Sequence, residues 1–136
     1  MYLLDTNVIS ELRRRWPNPA VLTWLSDVSP EQLFIAAVTF GELQAGVEMT
    51  RQQDPEKAAA IEEWIDSVAA SYSIMPMDEA IFRRWARLMH RKSDDLIEDA
   101  MIAATALVRN LTVVTRNLRD FDKFVVPTLN PFERRP

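Results

Sequence analysis

The stretch that decides the fold comes first: Met1-Tyr2-Leu3-Leu4-Asp5-Thr6-Asn7-Val8-Ile9-Ser10-Glu11-Leu12. Tyr2, Leu3 and Leu4 form a short apolar run of the kind that becomes a buried strand, so residues 2–5 are expected to be one. Asp5 then arrives before the chain can leave the core. Thr6 or Asn7 is suited to start a helix reaching about Arg14. A carboxylate placed where a core strand turns into a helix needs a reason, and the rest of the chain supplies candidates for one.

Similar short segments of alternating type follow. Pro17 and Pro19 break the chain before an amphipathic helix over Ala20 to Asp27, and Leu33-Phe-Ile-Ala36 suggests a second strand. Thr39 and Glu42 match a capping box, which predicts a helix from Phe40 to about Met49. Pro55 opens a long helix to about Ala70, Ser73 to Met75 suggests a short strand, and Asp78 caps a helix ending near His90 or Arg91. Ser93 or Asp94 starts the next helix, to Val108, with Asn110 as its stop. Leu111-Thr-Val-Val-Thr115 is the clearest strand, and Lys123 to Thr128 suggests a last one that Pro127 confines to an end or an edge. Strands separated by helices imply a three-layer α/β/α domain around a mainly parallel sheet. One domain over residues 1–132 and a short tail over 133–136 are expected.

Composition narrows the chemistry. The 136 residues contain no cysteine, one histidine and two glycines, which argues against disulfides, thiolate metal sites, structural zinc and a Gly-rich phosphate loop. The first residues do not resemble a signal peptide, and no apolar run is long enough to span a bilayer, so a cytoplasmic protein without membrane contact is expected. The net charge is −4 and the isoelectric point about 5.0, unlike most nucleic-acid binders. The cations are nevertheless grouped: Arg13 to Arg15, then Arg83, Arg84, Arg87, Arg91 and Lys92, then Arg116 and Arg119. They serve either as a basic face or as ordinary solvated helix flanks. The tryptophans, Trp16, Trp24, Trp64 and Trp85, sit at helical spacings and are expected in the core or an interface.

In an open parallel sheet, sites form beyond the carboxyl ends of the strands. Asp5 closes the first strand, Glu42 lies just past the second, and Asn117, Asp120 and Asp122 follow the Leu111–Thr115 strand. Asp99 shares a helix face with Ile102, Ala103 and Ala106, where an ionised carboxylate is costly unless compensated. Each acid also has an ordinary structural reading: a capping box for Glu42, a helix N-terminus for Asp99, a turn or N-cap for Asp5, a loop for Asp120 and Asp122. Gathered together, they need a proton, an arginine or a hard divalent cation, and oxygen-only ligands favour Mg²⁺ or Mn²⁺.

Four motifs together carry a resemblance: MYLLDTNVISEL, Thr39-x-x-Glu42-Leu43-x-x-Gly46, Asp99-Ala-Met-Ile-Ala-Ala-Thr-Ala106 and Val114-Thr-Arg-Asn-x-x-Asp120-Phe121. In this order and at these distances the chain resembles PIN-domain proteins, and more narrowly the VapC toxins of bacterial type II toxin–antitoxin systems. The resemblance spans residues 1 to about 132. It implies a Mg²⁺- or Mn²⁺-dependent endoribonuclease acting on RNA, a VapB-like antitoxin that occludes the site, and a homodimer or a higher assembly with the antitoxin. It places Asp5, Glu42 and Asp99 in the catalytic metal cluster, with Thr6, Asn7 and Thr115 in support. Asn117 stands where family members often have a fourth acid, so one-metal hydrolysis is expected, with Asn117 and Asp120 as additional oxygen donors. Arg116, Arg119, Arg13 and Arg14 are candidates to meet substrate phosphates. Two other readings stay open: a metal-dependent DNA or flap nuclease, and a non-catalytic binding module whose acids only cap helices.

Overall fold

The computed structural model describes residues 1–133. The fold matches the expected α/β/α architecture. Among the described residues, five strands form one all-parallel sheet: β1 (Tyr2–Leu4), β2 (Leu33–Ala36), β3 (Ser73–Met75), β4 (Thr112–Val114) and β5 (Thr128–Leu129). Their spatial order is β3-β2-β1-β4-β5. The helices are α1 (Thr6–Leu12), α2 (Pro19–Asp27), α3 (Ala37–Arg51), α4 (Pro55–Ser71), α5 (Glu79–Met89), α6 (Ile97–Arg109) and α7 (Leu118–Asp122).

Pleating explains the two cores. Successive strand side chains point to opposite faces. Leu3, Ala36 and Val113 therefore join Ala100, Ala103, Ala106, Phe121 and Phe124 on one side, while Leu4, Ile35 and Val114 join Val8, Ile9, Val21 and Val68 on the other. Leu4 pairs with Ile35 and with Val114 across the central ladders, so β1 is buried on both faces. The small residues Ala100, Ala103, Ala104 and Ala106 are fully buried, letting α6 lie close against the sheet. Asn110 ends α6 in a left-handed conformation (φ 57°), which Asn tolerates better than most residues.

Winding runs from β1 outward to β2 and β3, then returns to the other side of β1 for β4 and β5. The direction reverses between β1 and β4. Loops leaving adjacent strand ends in opposite directions open a crevice at such a point. Asp5 and Thr115, the residues immediately after β1 and β4, stand at that crevice.

Several boundaries differ from expectation. β1 stops at Leu4, because Asp5 is the N-cap of α1 and its side chain accepts from Thr6 N–H at 2.8 Å. The Thr39–Glu42 capping box does not form. Helix α3 starts at Ala37, with Ala36 as a cap that has no side-chain bond, so Thr39 lies inside the helix, buried and without a partner for its hydroxyl. Asp120 and Asp122 are in α7 rather than a loop. β4 is shorter than Leu111–Thr115, and β5 falls at Thr128–Leu129 instead of Lys123–Thr128. Pro127 does border the edge strand, where its carbonyl accepts from Val113 N–H at 2.9 Å. Of the expected tail, Glu133 is described and residues 134–136 lie outside the described residues.

Candidate active site

The site is built from Asp5 outward. Asp5 is 5% exposed, and its backbone N–H continues the sheet ladder to Val114 C=O at 2.9 Å. Its Oδ1 accepts from Thr6 N–H, and its Oδ2 accepts from Thr115 Oγ1 at 2.8 Å and Asn7 Nδ2 at 3.1 Å. A carboxylate offers about four acceptor positions, so these bonds leave one open, on Oδ1. Thr115 is buried and joins the two sides of the crevice: it also accepts from Asn7 Nδ2 at 3.1 Å and Asn117 N–H at 3.0 Å. Asn7 Oδ1 in turn accepts from Arg116 N–H at 3.1 Å. Thr6, Asn7 and Thr115 thus fix both oxygens of Asp5 and the chain leaving β4.

Glu42 enters from α3, half-buried, with its Oε1 accepting from Thr6 Oγ1 at 3.2 Å. That bond replaces the expected one to the Thr39 region. Asp99 enters from the first turn of α6, also half-buried. Electrostatics tie the acids together. Burial pushes the Asp5 carboxyl above its ordinary range; the Thr115, Thr6 and Asn7 bonds oppose this, and the charge of Asp120 adds to it. Burial lifts Glu42 to about 7, assisted by repulsion from Glu98, Asp5 and Asp99. Burial lifts Asp99 to about 6, assisted by Asp5, Asp120, Glu98 and Asp95. Six acids, from the N-cap of α1, from α3, from α6 and the turn before it, and from α7, therefore share one field of like charge.

No three His, Cys, Asp or Glu side chains among the described residues form a preformed metal cage. The donors that do approach one another are all oxygen, and each suffers from its own or its neighbours' negative charge. Such a set fits a hard divalent cation, whose charge relieves both the burial and the repulsion.

The other expected residues divide. Asp120, exposed on α7, is near enough to act on Asp5 and Asp99. Asn117 is exposed at the cap position of α7, where its side chain caps nothing. Arg116 is held by Glu11 at 3.6 Å and stacks over the Phe132 ring at 3.8 Å. Arg13, Arg14 and Arg119 are exposed, Arg14 pairing with Glu11 at 3.3 Å. Two acids were missed by sequence reasoning. Glu98 adds charge beside Asp99, a signal visible as the Glu98-Asp99 pair in the first turn of α6. Glu11 is 4% exposed and also accepts from Asn18 N–H at 3.0 Å. Its signal is an acid three residues after Val8, on an apolar face, with Arg14 three residues further on.

The sequence model of the family described as "PIN domain" matches residues 2–126. The chain belongs to the PIN-domain family. This PIN domain is 34% identical over 139 residues to a protein named Toxin FitB from Neisseria gonorrhoeae, covering 97% of this chain and 99% of FitB. It is 31% identical over 140 residues to a protein named VapC ribonuclease Y4jK from Sinorhizobium fredii, covering 98% and 99% of the two chains. Among solved structures it resembles a chain of FitAB bound to an IR36 DNA fragment, with a TM-score of 0.84, 32% identity and coverage of 100% and 99%. No helix among the described residues of this PIN domain is long and apolar enough to cross a membrane.

Proposed function

We propose that this PIN domain is a Mg²⁺- or Mn²⁺-dependent endoribonuclease toxin restrained by a cognate VapB-like antitoxin. The reading is supported by the mutual repulsion of Asp5, Glu42 and Asp99 beside the sheet's switch point, where each is destabilised as an anion. Asp5 and Asp99 would hold the cation, Asp5 through its open Oδ1 position, and Glu42 would ligate it directly or through water. The bound ion supplies water activation and neutralises charge building on the phosphate. The chain's own residues do the rest. Thr6, Asn7 and Thr115 keep the Asp5 carboxylate from rotating, and Thr6 holds Glu42 where it can orient an attacking water and accept its proton. In-line attack on the RNA phosphodiester leaves a 5′-phosphate and a 3′-hydroxyl. Asp120 adds negative charge and an outer oxygen donor, while Asn117 adds an uncharged carbonyl, which favours one tightly held ion over two.

The ribonuclease and toxin names of full-length relatives support this reading. The FitAB complex on DNA supports a partner protein and an assembly larger than one chain. An acidic crevice between helices suits occlusion by an antitoxin segment presenting a cation, and a toxin homodimer within that assembly. The cytoplasm, where RNA and antitoxin meet, is the proposed location. The test is a panel of single-stranded RNA, structured RNA and DNA incubated with the chain in Mg²⁺ or Mn²⁺, with EDTA controls. Internal cleavage of RNA alone is expected. Cleavage of DNA or flaps instead would establish the DNA-nuclease reading, and no cleavage of any substrate would leave a binding module.

A further inference from the structure

Basic side chains lead away from the carboxylates along a connected path. Thr115 bonds Asp5, and the next residue, Arg116, reaches Glu11 at 3.6 Å. Glu11 Oε1 also meets Arg14 at 3.3 Å, so one buried carboxylate holds two guanidinium groups that are 50% and 64% exposed. Beyond them, Arg13 and Arg15 are exposed, and Arg15 lies 5.5 Å from the centre of the Trp16 ring. Trp16 is 79% exposed and so lies outside the core, whereas Trp24, Trp64 and Trp85 pack against the cores. An indole left in water costs free energy, and an Arg-flanked indole beside a row of cations matches how proteins hold single-stranded nucleic acid: phosphates on the arginines, a base on the ring.

We infer that Arg116, Arg14, Arg13 and Arg15 form a track for single-stranded RNA and that Trp16 is the stacking platform for a base several nucleotides from the scissile bond. The inference rests on the ribonuclease reading for its choice of nucleic acid. Charge selects the occupant. Among the described residues the only acid bonded within the track, Glu11, is buried and already shared by two arginines, so the outward face is cationic and suits a polyanion. Glu11 is a positioning residue that anchors both Arg116 and Arg14.

The experiment measures binding of a short, unstructured, fluorescently labelled RNA to the full chain in EDTA, where cutting does not interfere. Trp16→Ala is expected to weaken binding roughly tenfold and Trp16→Phe to restore most of it. Arg13→Gln and Arg14→Gln are each expected to lower the salt dependence by about one counterion. Because Trp16 is exposed, the two Trp16 variants should melt with the parent. RNA affinity unchanged by Trp16→Ala would overturn the platform, and so would a Trp16→Ala effect confined to oligomeric mass or to antitoxin binding. Metal-dependent RNA cleavage with no Trp16 effect on binding leaves the nuclease and removes the platform. Trp16-dependent RNA binding without metal-dependent cleavage does the reverse.

Discussion

Removing divalent metal should make this protein less stable as pH rises through neutrality, opposite to the behaviour of a protein with paired carboxylates. Glu42 and Asp99 are lifted to about 7 and about 6, by burial first and by mutual repulsion second. In the unfolded chain both titrate near 4. Between those limits the folded chain binds more protons than the unfolded one, so the free energy of unfolding falls as pH increases. The contribution is fully present below about pH 4 and is lost once both groups ionise, above about pH 7. Between pH 5 and pH 8 the loss sums to about 4 kcal/mol before solvent is considered. Both side chains are only half-buried, and screening leaves about 2 kcal/mol. For a chain of this size that is a fall in Tm of about 6 °C. Urea or thermal unfolding in EDTA at fixed ionic strength, followed by far-UV circular dichroism, measures it. Glu42→Gln with Asp99→Asn should flatten the dependence and raise stability at pH 8. Stability that is flat or rising from pH 5 to pH 8, or a slope undiminished by the double substitution, would refute the electrostatic account of the site; Asp5, also raised by burial, leaves a smaller slope of the same sign.

Other outcomes follow from single contacts. Thr115→Val keeps the buried volume and removes the hydroxyl that donates to Asp5 at 2.8 Å. It should cost about 1.5–3 kcal/mol at pH 7 by urea unfolding and raise the Asp5 pKa further. Val125 has a φ of 52° and is 87% exposed, a conformation that a β-branched residue strongly disfavours. Val125→Gly should therefore raise stability by about 1 kcal/mol, read as a higher urea midpoint with unchanged activity. Glu11→Gln should loosen Arg116 and Arg14 while keeping an acceptor for Asn18 N–H, costing about 1–2 kcal/mol.

Much of this arrangement could be read along the chain because local and global preferences agree. The apolar runs at Tyr2–Leu4 and Leu33–Ala36 fold as the strands they suggest, Pro55 opens α4, and Asp78 caps α5 by accepting from Ile81 N–H. Asp5 and Asp99 are legible as charges on apolar elements, and Glu42 by its place just past the second strand. What failed did so for tertiary reasons. Thr39 and Glu42 have capping-box spacing, but α3 begins directly from β2 at Ala37, and Glu42 finds its hydroxyl partner 36 residues away on Thr6. Helix α7 is five residues long, too short to show a helical period, and it carries Asp120 back toward Asp5. Glu11 is not legible in the sequence because a charged helix residue is ordinarily solvated, and its burial depends on Asn18 and on arginines from two segments.

The central claim is that the acids at the switch point hold a divalent ion that cuts RNA, and it is tested most directly by Asp5→Asn. The measurement is the rate of internal RNA cleavage by the parent and by this variant across a Mn²⁺ titration, with both shown to be folded by circular dichroism. The account predicts no cleavage in EDTA, metal-dependent cleavage by the parent, and a loss of at least about a hundredfold in the folded variant. Cleavage by Asp5→Asn at the parent rate, or cleavage by the parent in EDTA, would contradict it.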